Sequence, residues 1–319
     1  MDQLRHLDRD DVNSTDTSSE PAIGFGSGDE YLVQESRNHL AIDPALFALS
    51  ELEALYESDK QTLWTFMRPT GRPSFTPALL HDFEDWQRLI TSSFGPGKVP
   101  LRYLVLGSRS KDIFCFGGDL GLFSKLIEQG DRDSLVRYGH RCVEILHRNC
   151  QALDLPLITI GLAQGDALGG GFEALLSFDY IIAEKTARFG LPETMFGLFP
   201  GMGAHSILSR KLGTAMADRL ITSNENYSAQ EMYDLGIVHQ VVEPGEGITA
   251  TRDFIKKADR RHIGLVNARK AMRMARPLEL EEMRRITELW ADTALQLSPS
   301  DLKVMGRLTK AQDKLITKA

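Results

Sequence analysis

The chain has 319 residues, 42% hydrophobic and 25% charged, the make-up of a soluble globular protein long enough for a sizeable core and a second small region. A net charge of −7 and an isoelectric point near 5.7 argue against general nucleic-acid binding, which needs clustered Lys and Arg. Three cysteines, Cys115, Cys142 and Cys150, form no C-x-x-C pair, which leaves neither a disulfide framework nor the usual cysteine zinc spacing.

Residues 1–30 hold eight acids against two arginines, with a Ser/Thr cluster and several glycines, and are expected to be a flexible acidic tail. They lack the charged-then-apolar layout of a signal peptide, and no apolar run approaches the ~20 residues of a membrane span, so the expected address is the cytoplasm. Tyr31 to Asp43 alternates as a strand does, Pro44 to Tyr56 has helical spacing, and Gln61 to Pro69 is a second β-rich run. Thr76-Pro77 predicts a helix with an N-cap and a proline at its first position, running to about Ser93. Leu101 to Ser108 and Leu155 to Gly165 read as buried strands, separated by a long amphipathic pattern from Leu120 to Ala152 that breaks near Gly130-Asp131. A glycine-rich turn, a helix from Phe172 to Ser177 and a strand from Asp179 to Ala183 follow. Strand, helix and strand in this succession predict an α/β fold with parallel crossovers. Past Gly203 the strand signal is confined to Gly236 to Val242. The boundaries drawn are a tail over 1–30, a core over 31–243 and a helical region over 244–319. Leu280, Met283, Ile286 and Trp290 mark the apolar stripe of the penultimate helix. Residues 252–285 carry eleven Lys/Arg and five Asp/Glu, a local +6.

The stretch from Gly161 to Gly203 holds the chemistry. A buried strand empties into Gly169-Gly170-Gly171 and then a helix, which presents unblocked N–H groups where negative charge could be held. Neither dinucleotide nor P-loop glycine spacing is present, nor a G-x-S-x-G elbow. Glu173 lies just inside that helix and Glu193 twenty residues later in Gly190-Leu-Pro-Glu-Thr194. Two carboxylates beside an N–H cluster suit acid/base chemistry next to an oxyanion. Spacing alone leaves the plainer readings open: Glu173 as a first-turn acid favoured by the helix dipole, Glu193 as a loop residue, the glycines as a packing turn.

Ala167-Leu-Gly-Gly-Gly-Phe-Glu173, Phe189-Gly-Leu-Pro-Glu193 and Phe114-Cys-Phe-Gly-Gly-Asp-Leu120 together closely resemble the motifs of the crotonase, or enoyl-CoA hydratase/isomerase, superfamily. The resemblance spans roughly Tyr31 to Val242. It implies a spiral ββα core, here followed by the C-terminal helical region, and trimers or dimers of trimers. It implies Glu173 and Glu193 as the catalytic pair, and an oxyanion hole of backbone N–H groups at Phe116, or Gly117, and Gly170. Keeping both glutamates is similar to the hydratase branch. No cofactor and no metal are implied.

Met67-Arg-Pro-Thr-Gly-Arg-Pro-Ser-Phe75, Leu104-Val-Leu-Gly-Ser-Arg-Ser110 and Phe199-Pro-Gly-Met-Gly-Ala204 are similar to the diffusible-signal-factor synthases of Gram-negative bacteria. That resemblance implies dehydration of a 3-hydroxyacyl thioester on acyl carrier protein, then thioester hydrolysis, giving a cis-2-unsaturated fatty acid for quorum sensing. The alternatives are a general enoyl-CoA hydratase acting on acyl-CoA and a non-catalytic scaffold binding a regulatory partner. A sensor kinase is a further implied partner, since some signal synthases bind theirs. Phe116 departs from the small alanine usual in hydratases. Leu168, Gly169, Met202, Trp290 and Leu308 are the substrate-binding candidates, four of them acyl-chain walls with ordinary core packing as the plainer reading. His140, Glu144 and His147 have the i, i+4, i+7 spacing of metal ligands on one helix face, against the simpler reading of a polar stripe. An acidic carrier gives the basic 252–285 stretch a motive beyond a solvated face.

Overall fold

The structure, a computed structural model, describes residues 41–316; the acidic tail and most of the strand expected from Tyr31 lie outside them. The first regular pieces are a 3-10 turn over Pro44–Phe47, with Asp43 accepting from the Ala45 N–H, and an antiparallel hairpin of β1 (Leu52–Glu57) and β2 (Thr62–Met67). The helix expected over Pro44 to Tyr56 is therefore corrected. Pro44 starts one turn, and pairing of Leu52–Glu57 with a strand later in the chain overrides helical spacing. The Glu51 carboxylate, buried where the strand begins, accepts from the N–H and hydroxyl of Thr70.

Helix α1 (Pro77–Ser93) forms as its signals predict: the Thr76 side chain accepts from the Leu79 N–H and proline takes the first turn. The core then advances through three pairs of strands, β3 (Tyr103–Ser108) and β4 (Ile113–Cys115), β5 (Ile158–Ala163) and β6 (Asp166–Leu168), β7 (Tyr180–Glu184) and β8 (Arg188–Gly190). The first strand of each pair joins a six-stranded sheet ordered β1-β2-β3-β5-β7-β10, where β10 is Gln240–Val242. The second joins a four-stranded sheet ordered β4-β6-β8-β9, where β9 is Asn226–Ser228. Every neighbour from β2 through β10 in the larger sheet is parallel, so helices return the chain: α2 (Leu120–Glu128) and α3 (Arg132–Cys150) after β4, α4 (Gly170–Leu176) after β6. The central strands β3 and β5 are buried along their whole length, as sheets covered on both faces require.

One face of the larger sheet packs on the main core with α1 and α3. The other is covered by α8 (Gly247–Ala258), whose Ile248, Ile255 and Ala258 meet Trp64, Val105 and Ile160, with Leu265 and Val266 of α9 (His262–Ala275) at the margin. Short helices α5 (Ala204–Leu212), α6 (Thr214–Thr222) and α7 (Ala229–Asp234) link the two sheets to this cover. Helix α10 (Leu280–Ala294) then lies along α3 at a crossing so close that a Cβ at Gly139 would sit 2.1 Å from Thr287 Cγ2. Helix α11 (Pro299–Ile316) closes the chain over α2, with Met305 buried beneath it.

These contacts bear on two expectations. His140 faces Glu288 at 3.3 Å, Glu144 pairs with Arg284 at 2.7 Å, and His147 Nε2 lies 2.9 Å from the Leu278 carbonyl. The stripe of possible metal ligands is thus the polar seam between α3 and the segment leading into and along α10. Most of the basic stretch lies with α8 and α9, its end on α10, and several of its cations are engaged: Arg252 with Glu57, Arg273 with Asp179, and Arg269 over the Tyr180 ring.

Candidate active site

The glycine-rich and glutamate-bearing motifs converge because β6 ends in a backbone that only glycine accommodates. Gly169 has φ +52, its N–H donates to the Gly190 carbonyl at 2.8 Å, and a Cβ there would stand 2.6 Å from Glu193 Oε1. At Gly170 a Cβ would meet Met202 Sδ at 2.4 Å, with Gly117 Cα at 3.3 Å and the Gly118 nitrogen at 3.5 Å. The glycine run therefore lets the start of α4 press simultaneously against the loop after β4, the Met202 loop and the Glu193 turn.

Glu173, in the first turn of α4, is 1% exposed. Its Oε1 accepts from the backbone N–H groups of Met202 at 2.9 Å and Ala204 at 2.8 Å. Burial pushes its carboxyl up to about 7, against the pull of those two donors. The loop supplying the donors is held from outside the core, since Thr287 of α10 donates its hydroxyl to the Gly201 carbonyl at 2.8 Å. Glu193 opens a 3-10 turn, Glu193–Phe196, after β8. Its Oε2 is buried and has no hydrogen-bond partner among the described residues. Burial and then the negative charge of Glu173 hold its carboxyl well above the usual carboxylate range. Burial thus favours the neutral form of both carboxyls, and the charge of one disfavours ionisation of the other.

The oxyanion expectation needs correcting on one side. The Phe116 N–H is spent on the Pro73 carbonyl at 2.8 Å, and the Gly117 N–H lies 3.3 Å from Cys115 Sγ. In the loop after β4 the N–H of Gly118 has no partner among the described residues, and neither has that of Gly170 at the start of α4. Asp119, next in the motif, caps α2 by accepting from the N–H groups of Gly121 and Leu122 at 3.1 Å, which fixes the loop that carries Gly118. Spacing could not distinguish these donors, because the acceptor that consumes the Phe116 N–H lies more than forty residues upstream.

Both glutamates, Gly118 and Gly170 line one cavity of about 330 Å³. Leu168, Gly169, Met202, Trp290, Leu308 and the Phe116 ring border the same space, so all of the substrate-binding candidates are brought together. Trp290 is 5% exposed, packs edge-on against Phe123 with centroids 5.0 Å apart, and approaches Gly201 so closely that a Cβ there would be 2.7 Å from the indole. Sequence reasoning missed Asn224, Asn226 and Gln312 of this lining. Leu308, Gln312 and Leu315 recur at i, i+4 and i+7, a stripe visible in the sequence once a facing cavity is known.

The enoyl-CoA hydratase/isomerase family model matches residues 64–303, three quarters of the chain. The chain belongs to this family. Among curated members, the fatty acid oxidation complex subunit alpha of Idiomarina loihiensis is 37% identical over 155 residues, 48% of this chain and 21% of that protein. The short-chain-enoyl-CoA hydratase of Clostridium acetobutylicum is 40% identical over 110 residues, 34% of this chain and 41% of that one. The matches thus span less than half the length of these relatives. The fold is that of the crotonases: an enoyl-CoA hydratase from Bacillus halodurans superposes with a TM-score of 0.67 at 18% identity, covering 80% of this chain and 98% of that one. DspI of Pseudomonas aeruginosa superposes with a TM-score of 0.58 at 23% identity, covering 73% and 84%. Within that fold the three strand pairs are the spiral core, and α8 to α11 are its helical C-terminal region. Among the described residues no helix is long and apolar enough to cross a membrane.

Proposed function

We propose that this crotonase-family chain dehydrates a 3-hydroxyacyl thioester on acyl carrier protein and then hydrolyses the thioester, releasing a cis-2-unsaturated fatty acid as a quorum-sensing signal. The observation that carries the reading is buried Glu173 and the buried, unpartnered Oε2 of Glu193 beside two backbone N–H groups without partners among the described residues, at the head of an apolar cavity of about 330 Å³. The thioester oxygen accepts from Gly118 and Gly170, so charge that develops as the α-proton leaves is held by fixed dipoles. One carboxylate takes that proton while the other carboxylic acid gives its own to the departing 3-hydroxyl. The C–H and C–O bonds break, the C=C bond forms, water leaves, and the pair again holds one proton. Hydrolysis reuses the parts: a carboxylate accepts a proton from water as its oxygen attacks the carbonyl carbon, the tetrahedral oxyanion rests between the same N–H groups, and collapse breaks the C–S bond as the thiol leaves protonated.

The motif resemblance of Met67 to Phe75 and Phe199 to Ala204 to the signal synthases supports a long-chain signal product. An enoyl-CoA hydratase of fatty-acid oxidation is the second reading, favoured by the identities shared with the two curated relatives. Purified protein given a long 3-hydroxyacyl carrier thioester is expected to release free 2-unsaturated acid, read by mass spectrometry, and to hydrate crotonyl-CoA poorly. Fast crotonyl-CoA hydration without free acid from the carrier substrate would establish the second reading instead. In this proposal the protein works in the cytoplasm, as a trimer or hexamer, with a sensor kinase as a regulatory partner.

A further inference from the structure

Helix α11 presents two different stripes. Leu308, Ala311, Gln312 and Leu315 face the cavity, and the exposure of Ala311 and Leu315, with Met195 and Asn224 across from them, marks this edge as its mouth. Lys303, Arg307, Lys310 and Lys314 follow at i, i+4, i+7 and i+11, a single row on the neighbouring face. All four are exposed, and none makes an ion pair among the described residues. The acids of this helix are used elsewhere, Asp301 on the Ser298 hydroxyl and Asp313 on Arg72 at 2.6 Å. Four unneutralised cations spread over roughly 16 Å of helix repel one another, in a chain whose total is −7. At the same mouth the Gln312 Oε1 is buried without a donor, an acceptor suited to an amide N–H.

We propose that this outer face of α11 docks an acidic carrier protein, through Lys303, Arg307, Lys310 and Lys314, while Gln312 accepts an amide N–H of the carrier's pantetheine arm. The inference rests on the reading above that the acyl chain arrives on a carrier. It moves the docking surface away from the basic stretch of α8 and α9, which lies across the larger sheet from the cavity. Charge steering to a stripe beside the mouth places the thioester arm where the cavity opens.

The test compares wild type with the fourfold variant Lys303→Glu, Arg307→Glu, Lys310→Glu, Lys314→Glu on one acyl group carried by carrier protein, by pantetheine and by CoA. The variant should raise KM for the carrier substrate about tenfold or more at low salt, with kcat and the pantetheine thioester unchanged. Wild-type KM for the carrier should rise with salt, and the variant's should not. Gln312→Leu should raise KM for carrier and pantetheine substrates alike, and by a larger factor than for a simple alkyl thioester without amides. An unchanged carrier KM in the fourfold variant overturns the docking surface. So does an equal loss on pantetheine thioester, which marks a damaged wall, or a parallel loss on CoA thioester, which marks nucleotide phosphate as the ligand. Loss of sedimentation with anionic lipid vesicles while carrier kinetics hold would assign the stripe to a membrane surface and overturn it too. Wild type inactive on carrier substrate but active on CoA substrate is a separate outcome, which refutes the carrier reading before any variant is made.

Discussion

The two walls of the cavity are built on different terms. The wall contributed by the strand pairs is rigid backbone: Gly118 and Gly170 offer N–H groups, Gly169 yields space to Glu193, and Glu173 is gripped by the N–H groups of Met202 and Ala204. The wall contributed by α10 and α11 is side chain: Trp290, Leu308, Gln312 and Leu315 stand on helices joined to the core by packing and by a few polar links such as Thr287 to Gly201. Chemistry depends on atoms placed to a fraction of an ångström, which backbone at the loop and helix starts following the strands supplies. Selection among acyl chains, in the proposed reading, needs only volume and apolar surface, which the side chains of these helices supply. Changes in the first wall should therefore strike turnover for every substrate, and changes in the second should discriminate among substrates.

The largest effect is expected at the carboxyl pair. Glu173→Gln and Glu193→Gln should each lower kcat by about 100-fold or more with melting temperature maintained, because the amide keeps the volume but cannot carry the proton. Near-normal turnover in either variant would remove that residue from the mechanism. Trp290→Ala comes next: it should raise KM for long acyl chains about tenfold and change short-chain kinetics little, as apolar contact in the second wall is lost. Equal losses on short and long chains would make Trp290 core and erase the distinction between the walls.

A smaller effect concerns stability and pH. Burial lifts Glu173 from its ordinary 4.5 to about 7, and burial with the charge of Glu173 holds Glu193 well above the same ordinary value. In that window the folded state binds more protons than the unfolded one, so the stabilisation present at low pH is lost as pH rises from 4.5 through about 7 and beyond. Chemical denaturation at a series of pH values should show this decline, and Glu173→Gln should flatten its lower part. A wild-type profile already flat between those values would mean the carboxyls are better solvated than their burial implies. The smallest effect is expected on the far side of the larger sheet: Arg260→Glu with Arg261→Glu should leave carrier-substrate KM unchanged. A rise matching that of the α11 variant would return carrier docking to the basic stretch.

How much of this was legible in the sequence divides along the same line. The first wall is written in local signals, glycines followed by a helix start and glutamates at fixed offsets, and both carboxylates and Gly170 stand where those signals put them. Strands β3 and β5 announced themselves as continuous apolar runs, and α1 by Thr76-Pro77. What escaped was decided by pairing between segments and not by the pattern within one. Leu52–Glu57 is a strand because Thr62–Met67 pairs with it, and the N–H of Phe116 is unavailable because Pro73 takes it. The second wall was legible only in part. Trp290 and Leu308 were marked as candidates, while the amide of Gln312 and the cation row beside it acquire meaning only once α11 is laid over the mouth.

The most direct test of the central claim, that Glu173 and Glu193 transfer the protons of an elimination across the α and β carbons, uses a 3-hydroxyacyl carrier thioester deuterated at the α carbon. Mass spectrometry of the acyl product after incubation with the purified protein should show loss of one deuterium together with the hydroxyl, and neither loss with Glu173→Gln or Glu193→Gln. Release of 3-hydroxy acid with both deuterium atoms retained would contradict the account, since the site would then hydrolyse the thioester without ever moving the α-proton.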